Sequence, residues 1–269
     1  GSINYNNYNG VSHYDGLQLH AEHHATNGLV ATFSYAWSHT LDDSGGAFQG
    51  GTSELYYDSM ASYGNSAEDT RQIFSSSLLY KLPFGRGQRF DGNVSRPVDW
   101  VVGGWQTSLT AIVETGTPVD LSTGHDAPGN RPDLVGSIKY PKGTGGGTND
   151  FWFDPTSFVD PPHITGTVSG AATYTRLGTL GRNQVFGPGE RVVNWSMQKN
   201  IHITDKQTLE LHGDAFNVFN TPVFVNPNAS PNGSFPSAPG GSYGGNFGQI
   251  EGVQQYTNRE IQLAARFTF

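Results

Sequence analysis

The chain has 269 residues, with 36 Gly, 15 Pro and no Cys, and a formal net charge of −8. The lack of Cys removes disulfides, thiolate zinc sites and Cys nucleophiles, and 15 Lys and Arg against 23 Asp and Glu argue against a nucleic-acid binder, which needs a basic stripe. Scarce helix formers, no apolar run near the ~18 residues of a membrane helix, and 12% aromatic residues with 14% charged ones exclude helix bundles and simple disorder and leave a β-rich protein.

Gly1 is not an initiator Met, and no charged-then-apolar leader follows it. Residue 1 is expected to be a processed end, a cloning remnant or an internal cut. The first strand is expected over residues 14–24. Leu17, Leu19, Ala21 and His23 alternate there with Gln18, His20, Glu22 and His24. In residues 29–40 the bulky Leu29, Ala31, Phe33, Tyr35 and Trp37 alternate with the smaller Val30, Thr32, Ser34, Ala36 and Ser38. Period 2 is the strand signature. Residues 25–28 join the two as a tight hairpin, with Asn27-Gly28 supplying positive φ. Residues 71–82 and 105–115 are the third and fourth strands.

Residues 192–203 set Val193, Trp195, Met197, Ile201 and Ile203 against Asn194, Ser196, Gln198, Asn200 and His202. The turn Thr204-Asp205-Lys206-Gln207 leads to 208–219, where Leu209 and Leu211 oppose Glu210, His212 and Asp214. The seventh strand is 261–269. Ile261, Leu263, Ala265, Phe267 and Phe269 form its apolar face, and Gln262, Ala264, Arg266 and Thr268 the other. A terminal strand ending on Phe resembles the last strand of bacterial outer-membrane barrels, which the barrel-assembly machinery recognises. Phe267 and Phe269 are the residues of that signal.

Connections alternate. Tight turns follow the first and fifth strands, and a medium turn (83–99) follows the third. Long segments rich in Gly, Pro, Asn and Ser fill about 42–70, 116–190 and 220–258. Antiparallel strands place alternate connections at opposite ends, so turns gather at one end and large loops at the other. That asymmetry, with strands of ten to twelve residues, fits a transmembrane barrel. The polar strand face carries His20, Glu22, Glu210, His212, Asp214 and Arg266, which a water-filled lumen would solvate. Tyr35, Trp37, Tyr80, Trp105, Phe267 and Phe269 suit aromatic girdles. The expected fold is therefore all-β, an antiparallel outer-membrane β-barrel with about seven to eight long strands spread over residues 1–269.

The order of motifs then carries a family resemblance. Tyr14-Asp15-Gly16-Leu17-Gln18, Phe33-Ser34-Tyr35-Ala36-Trp37-Ser38 and Leu41-Asp42-Asp43 come first. Leu82-Pro83-Phe84-Gly85-Arg86-Gly87, Gly103-Gly104-Trp105-Gln106 and Asn130-Arg131-Pro132-Asp133 follow. Next are Trp152-Phe153-Asp154-Pro155 with Phe158, Leu180-Gly181-Arg182-Asn183, Gly187-Pro188-Gly189 and Ala215-Phe216-Asn217-Val218-Phe219-Asn220. Over nearly the whole chain this set resembles TonB-dependent outer-membrane receptors of the Oar-like subgroup, which carries a carboxypeptidase-regulatory-like domain. Such receptors have a plug and about 22 strands. The chain looks like the C-terminal third of such a barrel, with no plug of its own.

The resemblance implies uptake of an extracellular ligand across the outer membrane. The expected partners are outer-membrane lipid, the plug and barrel strands of a longer precursor, the barrel-assembly machinery, and indirectly the TonB system. Among loop aromatics, Trp152 is the first candidate for ligand contact, with Tyr56, Tyr57 and Tyr174 beside it. Self-packing of the loops into a cap is the competing reading of such residues.

His20, Glu22 and His24 could hold a divalent ion, and Asp42, Asp43, Asp58, Glu68 and Asp69 could hold calcium. A polar lumen wall for the first set and a solvated loop for the second are the stronger readings, so no metal site is expected. No nucleophile elbow, zinc-protease helix motif or phosphate loop occurs, so neither an enzyme nor a cofactor is expected. Two alternatives to the receptor stand: a processed fragment that self-assembles through open strand edges into a fibre, tube or surface layer, and a soluble β-rich binding protein. Seven strands is odd, whereas single-chain bacterial barrels close on even numbers.

Overall fold

The structure, a computed structural model, describes residues 10–26, 28–43, 59–123, 130–141, 151–165, 172–204, 206–231, 235–238, 241, 243–255 and 257–269. Seven long strands dominate it. They are β1 (Ser12–His24), β2 (Leu29–Asp42), β3 (Gln72–Lys81), β4 (Trp105–Glu114), β5 (Glu190–His202), β6 (Thr208–Phe216) and β7 (Glu260–Thr268). Each pairs antiparallel with the next in chain order, giving one continuous wall. The bounds depart from the sequence expectation by at most three residues.

Register explains the alternation. One rung runs across all seven strands as His23, Ala31, Leu78, Leu109, Trp195, Ala215 and Ile261. The adjacent rung, one residue along, reads His24, Val30, Leu79, Ser108, Ser196, Asp214 and Gln262. Partners in a rung share a face, so a single-residue step passes from an apolar surface to a polar one. Leu17, Phe33, Trp37, Trp195, Ile261 and Leu263 are exposed on the apolar face. A sheet in water would have to cover that surface; hydrocarbon tolerates it.

The aromatic residues divide between the two ends. Tyr80, Trp105 and Phe267 lie near the turn end. Trp37 pairs with Gln72, the first residue of β3, toward the loop end, and Tyr35 lies two residues deeper, opposite Leu19 of β1 and Phe74 of β3. The medium turn also holds an element that the sequence reading missed, the seven-residue helix α1 (Arg96–Val102). At the first hairpin Gly28 takes φ 85°, where an L side chain would be strained; Asn27 lies outside the described residues.

β1 and β7 are the two edges, and every residue of both is exposed. In a seven-stranded antiparallel meander the first and last strands run in the same direction. Closing the wall with antiparallel pairs alone therefore requires an odd number of additional strands.

The wall does not supply the main hydrophobic core. That core is built by the loops, from Val119, Leu121, Phe153, Phe158, Leu180, Val185, Phe235 and Phe247. Phe153 packs edge-on against Phe158 (5.5 Å) and Phe247 (5.2 Å), and Phe235 against Phe247 (5.0 Å). Short two-stranded pairs frame it: Pro118–Val119 with Val185–Phe186, and Asp133–Leu134 with Phe158–Val159. A third pair joins His163–Thr165 to Ala172–Tyr174.

Candidate functional site at the loop end of the wall

Several of the motifs separated by more than a hundred residues converge where the loops meet β1 to β3. Arg182 donates to the Asp42 carboxylate and, at 2.8 Å, to the Asp42 carbonyl. Asp43 accepts the Val11 N–H at 2.8 Å. Asp69, fully buried, accepts the Thr40 N–H at 2.8 Å and the Arg71 Nε–H at 2.7 Å. Asn65 and Asn183 exchange side-chain N–H bonds onto each other's backbone carbonyls at 2.9 and 2.8 Å. Arg131 donates to the carbonyls of Ala61 (2.7 Å) and Leu180 (3.3 Å). Buried charges need such pairing. The carboxylates of Asp42, Asp43 and Asp69 thus bond to protein groups: Asp42, through Arg182, fastens the cap to the wall, while Asp43 and Asp69 tie the segments beside β1 and β3 to the end of β2. Glu68 is exposed, and Asp58 lies outside the described residues.

Beside this hub lies a cavity of about 850 Å³. Arg71, Gln72, Glu114 and Arg191 line it from the strand ends, and Trp152, Phe186 and Phe224 from the loops. The Trp152 Nε1–H donates to the Phe186 carbonyl at 2.7 Å, and its ring meets Tyr140 edge-on at 6.3 Å. The Arg71 guanidinium stands 5.7 Å from the centre of the Phe186 ring. Cations, a carboxylate and aromatic faces therefore converge on one space large enough for a small solute.

The polar face of the wall is cross-linked from strand to strand. Gln198 Nε2–H donates to Glu210 at 2.9 Å, Glu210 bonds His212, and the Ser196 hydroxyl donates to Asp214. His20 bonds Ser34 at 2.9 Å, and His24 bonds Glu22 at 2.6 Å. Glu210 pairs in register with Arg266. Charged and polar groups on this face, against bare apolar groups on the other, are the division a water-filled barrel imposes.

A family model described as "Outer membrane beta barrel domain" matches residues 1–262. The chain belongs to this family. The outer membrane is accordingly its location, and a soluble β-rich binding protein is set aside. No curated protein and no solved structure matches the chain.

On this outer-membrane barrel wall, His20, Glu22, Glu210, His212, Asp214 and Arg266 all lie on the polar face. Phe267 and Phe269 stack at 6.2 Å at the turn end, with Phe269 left exposed. Of the candidate contact residues, Trp152 reaches the cavity. Tyr174 belongs to the short pair Ala172–Tyr174, and Tyr56 and Tyr57 fall outside the described residues. Phe153, next to Trp152 in sequence, is wholly buried and serves the cap core. Sequence reasoning missed Arg71, Arg191, Phe186 and Phe224. Arg71 and Arg191 flank strand starts in the sequence, but nothing local shows that their loops meet.

Outside the wall, two carboxylates among the described residues depart from their usual behaviour. Arg176 forks onto Asp133 through two 2.7 Å bonds and, with the Thr179 N–H at 2.9 Å, holds that carboxyl below its ordinary value. The Asn246 and Asn228 amides do the same to Glu251. Burial raises the Tyr243 phenol, whose O–H donates to the Phe158 carbonyl at 2.7 Å.

Proposed function

We propose that the chain is the C-terminal barrel portion of a TonB-dependent uptake receptor. The cap captures a scarce extracellular ligand in the 850 Å³ cavity, and the polar wall face lines its path. That cavity is the observation that carries the reading, because it offers opposite charges and aromatic faces at the mouth of a barrel wall. The ordered motifs of the sequence support the same receptor class. The plug and an odd number of further strands would come from the rest of a longer polypeptide. Energy would arrive through TonB, and this portion performs no catalytic step and binds no cofactor.

The test compares spent medium from cells lacking the protein, cells lacking TonB, and wild type. A solute left behind by both deficient strains is the cargo. Trp152→Ala should then slow its uptake about tenfold, the effect of losing one aromatic contact of ~1.4 kcal/mol. A native polypeptide of only 29.0 kDa, with no longer receptor in the membrane, would refute the assignment.

A second reading has its own observation, the two fully exposed edges β1 and β7. Unpaired strand edges template association, so a processed fragment could build a fibre, tube or surface layer. Copies held alike in a membrane would meet by parallel pairing; an inverted neighbour, free of the membrane, would pair antiparallel. Strand-to-strand joints in micrographs would support assembly, and a monomer in detergent would sink it.

A further inference from the structure

The turn between β3 and β4 is long for the turn end of a barrel, and α1 within it is held on one particular side. Trp105 and Lys199 are partners in register on the apolar face of the wall. The Trp105 Nε1–H donates to the Val101 carbonyl at 2.9 Å. The Lys199 ammonium donates to the Gly103 carbonyl and to Val101 at 3.3 Å, so it caps the C-terminal end of α1 where the helix dipole favours a cation. The Trp100 Nε1–H reaches the His202 carbonyl at 3.0 Å. These ties moor α1 against the lipid-facing side of β4 and β5.

The composition of α1 suits that position. Val98 and Val101, three residues apart, share a helix face and are 44% and 69% exposed, with Trp100 at 40%. Asp99 points away from them and accepts the Arg86 N–H at 2.7 Å. Arg86, Arg89 and Arg96 in the same turn are all exposed. With Asp91 and Asp99 in the same turn the segment is left with one net positive charge, whereas the chain as a whole carries −8. Apolar side chains flanked by Arg, continuous with a wall that already meets lipid, match an interfacial helix on an anionic membrane surface.

We propose that α1 is an interfacial foot, seated in the anionic phospholipid headgroup layer at the turn end of the barrel. Val98 and Val101 reach the acyl boundary, and Arg86, Arg89 and Arg96 face phosphates. The chain lacks Cys, so Val101→Cys introduces one thiol for a polarity-sensitive fluorophore. Ile164→Cys, on the loop side and 66% exposed, is the aqueous control. The full chain is reconstituted into phosphatidylglycerol-containing vesicles or into pure phosphatidylcholine.

The label at 101 should emit to the blue and resist iodide, while the label at 164 stays quenchable. In anionic vesicles the protection should fall about fivefold for each Arg changed to Gln. Should Val101→Cys fail to insert, Val98→Cys carries the same label on the same face. Equal iodide quenching at 101 and 164 overturns the foot. Protection that is indifferent to lipid charge and to the Arg changes overturns its anionic partner.

Discussion

Removing Phe153 should open the cap and leave the wall standing. Phe153 is fully buried, with Phe158 and Phe247 edge-on at 5.5 and 5.2 Å. Gly248 closes a further side, since an added Cβ there would lie 3.0 Å from the Phe153 ring. A site so tightly walled collapses little when it is emptied. Phe153→Ala should therefore fall in the upper part of the usual range for a buried Phe, about 4 kcal/mol. That is about a thousandfold rise in the open fraction of the cap. The assay is limited proteolysis of the folded protein in detergent, read beside its heat-dependent gel mobility. Loop cleavage should accelerate by that factor, while the barrel band keeps its mobility. Unchanged cleavage, or loss of the wall together with the cap, would refute the separation of the two structures.

Two further outcomes concern the fastening of cap to wall. Asp42→Asn removes one charged partner from the mostly buried Arg182, at a cost of up to about 3 kcal/mol; hydrogen exchange at the Asn65 and Asn183 amides should quicken, and unchanged protection would count against the hub. The Asp133 carboxyl is held below its usual 3.8 mainly by Arg176. Its contribution to stability is thus complete above about that pH and is lost as the pH falls through the lower, folded-state value. Arg176→Gln should move the Asp133 titration, followed by carboxyl NMR, back up and flatten cap stability in that acid range.

The wall was legible because its signal is local. Alternation at Leu17, Leu19 and Ala21, or at Leu209 and Leu211, needs only neighbouring residues to be recognised, and lipid on one side with polar groups on the other enforces it. The hub was not legible, because Arg182 lies 140 residues from Asp42 and Asn183 lies 118 from Asn65. Those motifs were visible one by one along the chain, while their meaning is a contact between loops. The cap core carries no period at all, since Phe153, Phe158 and Phe247 come from irregular segments. α1 left one faint mark, Pro97 just inside its first turn after Ser95, but seven residues are too few for a helical repeat to emerge.

Lys199 shows how one residue can tie chemistry to depth. It stands on the lipid-facing side, 4% exposed and 5.0 Å from the centre of the Trp105 ring, yet its charge rests on the terminal carbonyls of α1. An ammonium cannot retreat into hydrocarbon without losing those carbonyls. The helix and the strand are therefore pinned to a common level along the membrane normal. The wall carries its own plumb mark: sliding toward the outer surface would drag the Lys199 charge into the acyl layer, and sliding inward would draw the Trp195 ring toward headgroups.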